Sequence, residues 1–255
     1  MYQKSSIVIV MGLGLIGTTL WAQEQPKLQV EHPREATEWI VSYAYNADDT
    51  KLPRVLLIGD SICNGYSGDV CKELAGTAYV TFYASSKCVC DKSYLRSLAF
   101  FLDESDYAVI HFNNGLHSLS SNRQDWETCL RASIKLIKEK GKGAKIIWAS
   151  STPLKDPTLT EKAQELNAIA ARVMAEEGVP TDDLFARMNS LDRETHWSDT
   201  FHFKGEAKKI QAKAIGDCVR KALGANKASD IAAAEALKAA NTATGPDGKL
   251  DATKK

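Results

Sequence analysis

Between Arg54 and Leu223 short apolar runs alternate with longer amphipathic segments, and that alternation leaves few folds open to the chain. "RVLLIG", "AYVTFYA", "YAVIHF" and "AKIIWAS" each read as a strand, bounded by turn residues and rich in β-branched or aromatic side chains. The unbroken apolar run from Val55 to Ile58 is the pattern of a strand covered on both faces. The segments that follow have helical spacing. "GDVCKELAG" is stopped by Gly76, and "WETCLRASIKLIKEKGKG" also ends in glycine. Leu95, Leu98, Phe101 and Leu102 share a face of "DKSYLRSLAFFLDES"; Leu166, Ile169, Ala170 and Val173 share a face of "LTEKAQELNAIAARVMAEEG". "VPTDDLFARM" supplies a short last edge element, and "KGEAKKIQAKAIGDCVRKAL" a closing helix. Strands and helices of these lengths make right-handed βαβ units, so the expected class is α/β, with a parallel sheet between two helical layers.

At 255 residues the chain is one sizeable domain with appendages, and 44% hydrophobic residues supply ample material for a core. Lys+Arg and Asp+Glu both total 32, so no basic excess points to nucleic acid, and a small-molecule or neutral polymeric substrate is expected. Residues 1–22 carry one lysine, an apolar stretch too short for a membrane span, and a small residue at Ala22. That is the pattern of a secretory signal, with an uncleaved N-terminal anchor as the alternative, and the signal reading implies a secreted or periplasmic protein with no stable membrane partner. Residues 23–53 form an N-terminal extension in which "EATEWIVSYAY" is expected to make a short helix. Residues 54–223 form the main domain, and 224–255 an Ala/Lys-rich tail. Six cysteines in an exported chain favour disulfides, with the pairing open. "KCVC" has no second pair at ligand spacing, so no metal is expected, and nothing calls for a cofactor.

Four polar clusters fall at strand carboxyl ends or just before the closing helix: "GDS", "SSKCVC", "NNGLHS" and "HWSDTFHF". Open α/β sheets bind their ligands at that edge. Asp199 and His202 are spaced i, i+3, which brings the side chains together over one helical turn. A carboxylate beside an imidazole fixes its tautomer and stabilises the imidazolium that proton transfer creates. With the other ring nitrogen facing Ser61, the three make a relay of nucleophile, base and orienter. As the base must be neutral to take a proton, activity is expected to fall as pH drops through the ordinary imidazole range.

"GDS", the "G-x-H-S" block after the third strand and "D-x-x-H-F" ahead of the last helix resemble the blocks of the SGNH, or GDSL, hydrolases, in family order over Arg54 to Leu223. The "NNGLH" third block is closest to a branch found in exported bacterial proteins. The resemblance implies a three-layer α/β/α flavodoxin-like sandwich and a serine ester hydrolase, with Ser61 as nucleophile, His202 as base and Asp199 as its orienter. It also implies an oxyanion hole built from the Ser61 N–H, a backbone N–H after the second strand and a side chain in the third block. The second block here lacks the family glycine, which leaves the N–H of Cys88 or Val89. With Gly115 aligned on the third-block glycine, His117 stands where the family has asparagine; Asn114 is the alternative donor. Gly115 and Trp197 are placed against the substrate. Export and the family analogy together suggest a carbohydrate O-acetylesterase. A non-catalytic binding module and a lipid-directed esterase or thioesterase are the alternatives. Asp60 is read as a helix cap, His111 as a core histidine, and Thr152 as a residue lining the site without chemistry.

Overall fold

A six-stranded sheet organises the protein, seen here in a computed structural model that describes residues 34–224. Strands β1 (Ile40–Ala44), β2 (Arg54–Gly59), β3 (Tyr79–Ser85), β4 (Val109–Phe112), β5 (Lys145–Ala149) and β6 (Thr181–Asp182) lie in the order β1-β3-β2-β4-β5-β6. All pairings are parallel except β1 with β3. Setting β1 aside, this is the doubly wound order whose switch point falls between β2 and β4, at the carboxyl edge where such sheets bind ligands.

Helices α1 (Ser61–Glu73) and α7 (Gly205–Leu223) cover one face, with the short α5 (Leu184–Asn189) beside them and the single turn α6 (Arg193–His196) leading toward α7. Helices α2 (Tyr94–Asp103), α3 (Arg123–Lys140) and α4 (Pro157–Glu176) cover the other. The run that reads as doubly covered is so: Leu56 and Ile58 pack with Trp126 and Leu130, whereas Val55 and Leu57 pack with Val70 and Ile215. Burying each of these aliphatic side chains stabilises the fold by about 1.5–3 kcal/mol. Helix starts follow local chemistry. Asn122 accepts from the N–H groups of Gln124 and Asp125 ahead of α3, and Asp156 accepts from Leu159 ahead of α4, with Pro157 at the first helical position.

Two expectations are corrected. "EATEWIVSYAY" makes the edge strand β1 rather than a helix. So short a helix would be marginal alone. As a strand, its Ile, Val and Tyr residues suit a pleated surface, and its backbone pairs with the otherwise open edge of β3. All six cysteines are thiols in place of the expected disulfides. Cys63, Cys88, Cys90 and Cys129 are buried within the two cores, where Cys88 Sγ also accepts from Ser118 Oγ at 3.1 Å. The proposed signal segment and the Ala/Lys-rich tail lie outside the described residues, except for Gly224, which ends α7 in the left-handed conformation at φ 77°. Among the described residues no helix is long and apolar enough to cross a membrane.

Candidate active site

Ser61 is the first residue of α1, immediately beyond the end of β2, so one tight turn sets its position. The turn depends on Gly59, where an added Cβ would lie 2.6 Å from Cβ of Cys63 in the first turn of α1. Asp60 caps the helix, its Oδ1 accepting from the N–H of Ile62 at 2.8 Å. Its Oδ2 is buried without a hydrogen-bond partner, and burial pushes the carboxyl above the usual carboxylate range.

The Asp-x-x-His segment, about 140 residues further along, closes on this serine. His202 Nε2 lies 2.8 Å from Ser61 Oγ, and its Nδ1 lies 3.0 and 2.9 Å from the two carboxylate oxygens of Asp199. A carboxylate only accepts, so Nδ1 carries the ring proton and Nε2 presents its lone pair to the serine hydroxyl. Asp199 Oδ1 also accepts from the backbone N–H groups of Phe201 and His202, which hold the turn closed. Burial raises the Asp199 carboxyl, but those two N–H groups and the His202 ring outweigh it and hold its pKa below the ordinary value. The turn is stitched to its flanks by Ser198 N–H to the His202 carbonyl and by Lys204 N–H to the His196 carbonyl. Ser61, His202 and Asp199 thus stand together as the sequence places them.

The residues expected around them divide differently. The N–H of Cys88 donates to Asp91 Oδ2 at 2.9 Å and that of Val89 to Asn114 Oδ1 at 3.1 Å, so both are engaged within the second and third blocks. Asn114 is a strut between those blocks, its Nδ2 also donating to the Lys87 carbonyl at 2.8 Å. Asn113, which the sequence did not single out, ties the end of β4 to β5 through the Ala149 carbonyl and Ser151 Oγ. Gly115 permits a close backbone approach: a Cβ there would fall 1.9 Å from Ser151 Oγ. Trp197, expected at the substrate, is 1% exposed, stacked beneath Arg193 and against Phe203. The Ser61 N–H remains as a donor, at the helix position whose N–H has no partner within the helix.

His117 has a partner of its own, Glu35, whose Oε1 lies 2.5 Å from its Nδ1. Glu35 comes from the arm ahead of β1, 82 residues away in sequence. Nothing local in the chain announces that contact. A narrow cleft beside Ser61, with room for about one water molecule, is lined by Asp60, Ile62, Tyr66, Leu116, Thr152 and Leu184 among others.

No family model matches the chain, and no curated protein matches it. Solved structures do. An acetyl xylan esterase superposes with a TM-score of 0.58 at 12% identity, over 65% of this chain and 99% of that one. A putative acylhydrolase from Bacteroides fragilis gives 0.55 at 16% identity, over 71% and 95% of the two chains. A lipase/acylhydrolase from Enterococcus faecalis gives 0.54 at 20% identity, over 66% and 96%. Others are described as GDSL-like lipases or as a putative SGNH hydrolase, and with parallel strands between two helical layers this chain has the fold of the SGNH, or GDSL, hydrolases.

Proposed function

We propose that the protein is a serine ester hydrolase in which Ser61, His202 and Asp199 act as a triad. The observation that carries this reading is the unbroken relay from Ser61 Oγ through the His202 ring to the Asp199 carboxylate, at 2.8 and 2.9 Å. Ser61 Oγ attacks the acyl carbon while His202 Nε2 takes its proton. The Ser61 N–H, at the positive end of α1, faces the developing oxyanion. Collapse of the tetrahedral intermediate breaks the bond to the alcohol, which leaves with the proton from His202. Water then repeats the sequence and releases the acid and free Ser61. Asp199, held ionised by its depressed pKa, keeps the ring in the productive tautomer throughout.

The acyl group favoured is small, because the cleft beside Ser61 is narrow. An acetylated carbohydrate is the substrate class we favour, in keeping with an acetyl xylan esterase among the similar structures. Export after removal of residues 1–22 fits an extracellular glycan substrate. The test is acetate release from a simple aryl acetate by wild type and Ser61→Ala. Loss of turnover by several orders of magnitude is expected. Equal, slow release from both proteins overturns the triad and leaves a binding module on the same fold as the better reading.

A further inference from the structure

We propose that His117 and Glu35 form a recognition site for a free hydroxyl on the alcohol side of the ester, at the rim of the Ser61 centre. This rests on the ester-hydrolase reading above.

Leu116, the residue before His117, lines the same cleft as Asp60 and Ile62, the two neighbours of Ser61. His117 thus follows directly on a residue of the cleft that Asp60 and Ile62 line. Its side chain is 19% exposed, neither sealed in the core nor free in solvent.

Chemistry then fixes what the ring offers. The Glu35 carboxylate accepts from Nδ1, so the neutral ring carries its proton there and Nε2 is a hydrogen-bond acceptor. An acceptor lone pair repels an oxyanion. It attracts an O–H group, and on an ester substrate such a group belongs to a hydroxylated alcohol. The Trp39 ring stands edge-on to His117, with centroids 6.1 Å apart and planes at 75°, and supplies an apolar wall beside the acceptor. An apolar surface with one placed polar group is the usual make-up of a small-molecule subsite.

The arm that brings both Glu35 and Trp39 is itself anchored. Trp39 N–H donates to Ser86 Oγ at 2.9 Å, Ser86 N–H returns a bond to the Trp39 carbonyl at 3.1 Å, and Glu38 bridges to Lys87 at 2.6 Å. The segment ahead of β1 thereby becomes part of the site and sets the orientation of His117. Glu35 is a positioning residue in this arrangement, acting through the ring it holds.

The experiment compares kcat/KM for two acetate esters: phenyl acetate, whose alcohol has no free hydroxyl, and a mono-acetylated methyl glycoside with its other hydroxyls free. The expected result is that His117→Leu and Glu35→Ala each lower the glycoside-to-phenyl ratio by about three- to tenfold, the worth of one neutral hydrogen bond. The double variant falls no further than His117→Leu alone, because both act through one contact. His117→Gln, whose amide oxygen also accepts, recovers part of the ratio. An unchanged ratio, or additive losses in the double variant, overturns the proposal. Equal acetate release by wild type and Ser61→Ala would count against the ester reading alone. Calorimetric binding of the glycoside to Ser61→Ala then decides the hydroxyl site: weakening several-fold by His117→Leu supports it, and equal or absent binding overturns it.

Discussion

Two histidine–carboxylate pairs on opposite ends of exposure show what separates a pair poised for proton transfer from a structural one. His202 and Asp199 lie on a surface turn, with side chains 42% and 53% exposed. His111 and Asp182 meet at 3.1 Å inside the sheet, 0% and 8% exposed. The pair chemistry is the same. The difference lies in the second ring nitrogen: in His202 it meets Ser61 Oγ at 2.8 Å, and in His111 it is buried with no hydrogen-bond partner. A carboxylate orients an imidazole in either setting, but the oriented ring does work only where its free nitrogen faces a group with a proton to give.

The largest effect that sharpens this contrast is on turnover. Asp199→Asn keeps the shape of the turn but puts an amide in place of the acceptor pair facing Nδ1, so the ring loses its fixed tautomer. A fall of about ten-thousandfold in kcat is expected, with little change in Tm. Retention of more than a tenth of the wild-type rate would mean that the turn orients His202 without the carboxylate, and the comparison would lose its basis.

The buried pair should respond in the opposite currency. Asp182→Ala leaves the His111 ring in the sheet with neither nitrogen partnered, which costs about 3 kcal/mol. In a domain of this size that is a drop in Tm of roughly 6–12 °C. The folded fraction should keep its Ser61-dependent activity. Unaltered thermal unfolding would show that water already satisfies His111 in the native protein.

How far the sequence revealed this depends on the range of each interaction. Val55 to Ile58 and the faces of α2 and α4 were legible because periodicity is local: burial at every position, or every third and fourth, is written along the chain. Asp199 and His202 were legible for the same reason, since three residues of separation carry their own geometry. β1 was not, because its strand character comes from the open edge of β3 and not from its own eleven-residue neighbourhood. The oxyanion reading of Cys88 and Val89 failed to foresee their bonds to Asp91 and Asn114, as a backbone N–H shows no sign in sequence of where it will donate. Trp197 misled in a related way. An aromatic side chain beside a site motif reads alike whether it faces ligand or, as here, lies beneath Arg193.

The smallest effect concerns the arm whose segment reads as a helix in sequence and pairs as a strand in the fold. Glu38 takes hydrogen bonds from Arg34 and Lys87, and these hold its carboxyl down to about 2 from the ordinary 4.5. A depressed carboxyl stabilises the docked arm fully above the unfolded value and gives that stabilisation up as pH falls toward the folded one. The window therefore runs from about pH 4.5 down to about 2. Within it the arm should loosen while the core stays folded, because the arm lies along one sheet edge whereas β2 is buried on both faces. Amide exchange reads this directly. The N–H groups of Trp39 and Ser86, which pair the arm to the end of β3, should lose protection across the window relative to those of β2. Lys87→Ala should remove part of that acid dependence, leaving the larger share that comes from the hydrogen bond of Arg34. Parallel loss of protection in β1 and β2 would instead make the arm and the core one cooperative unit, and Glu35 would then be as firmly placed at acid pH as Ser61 itself.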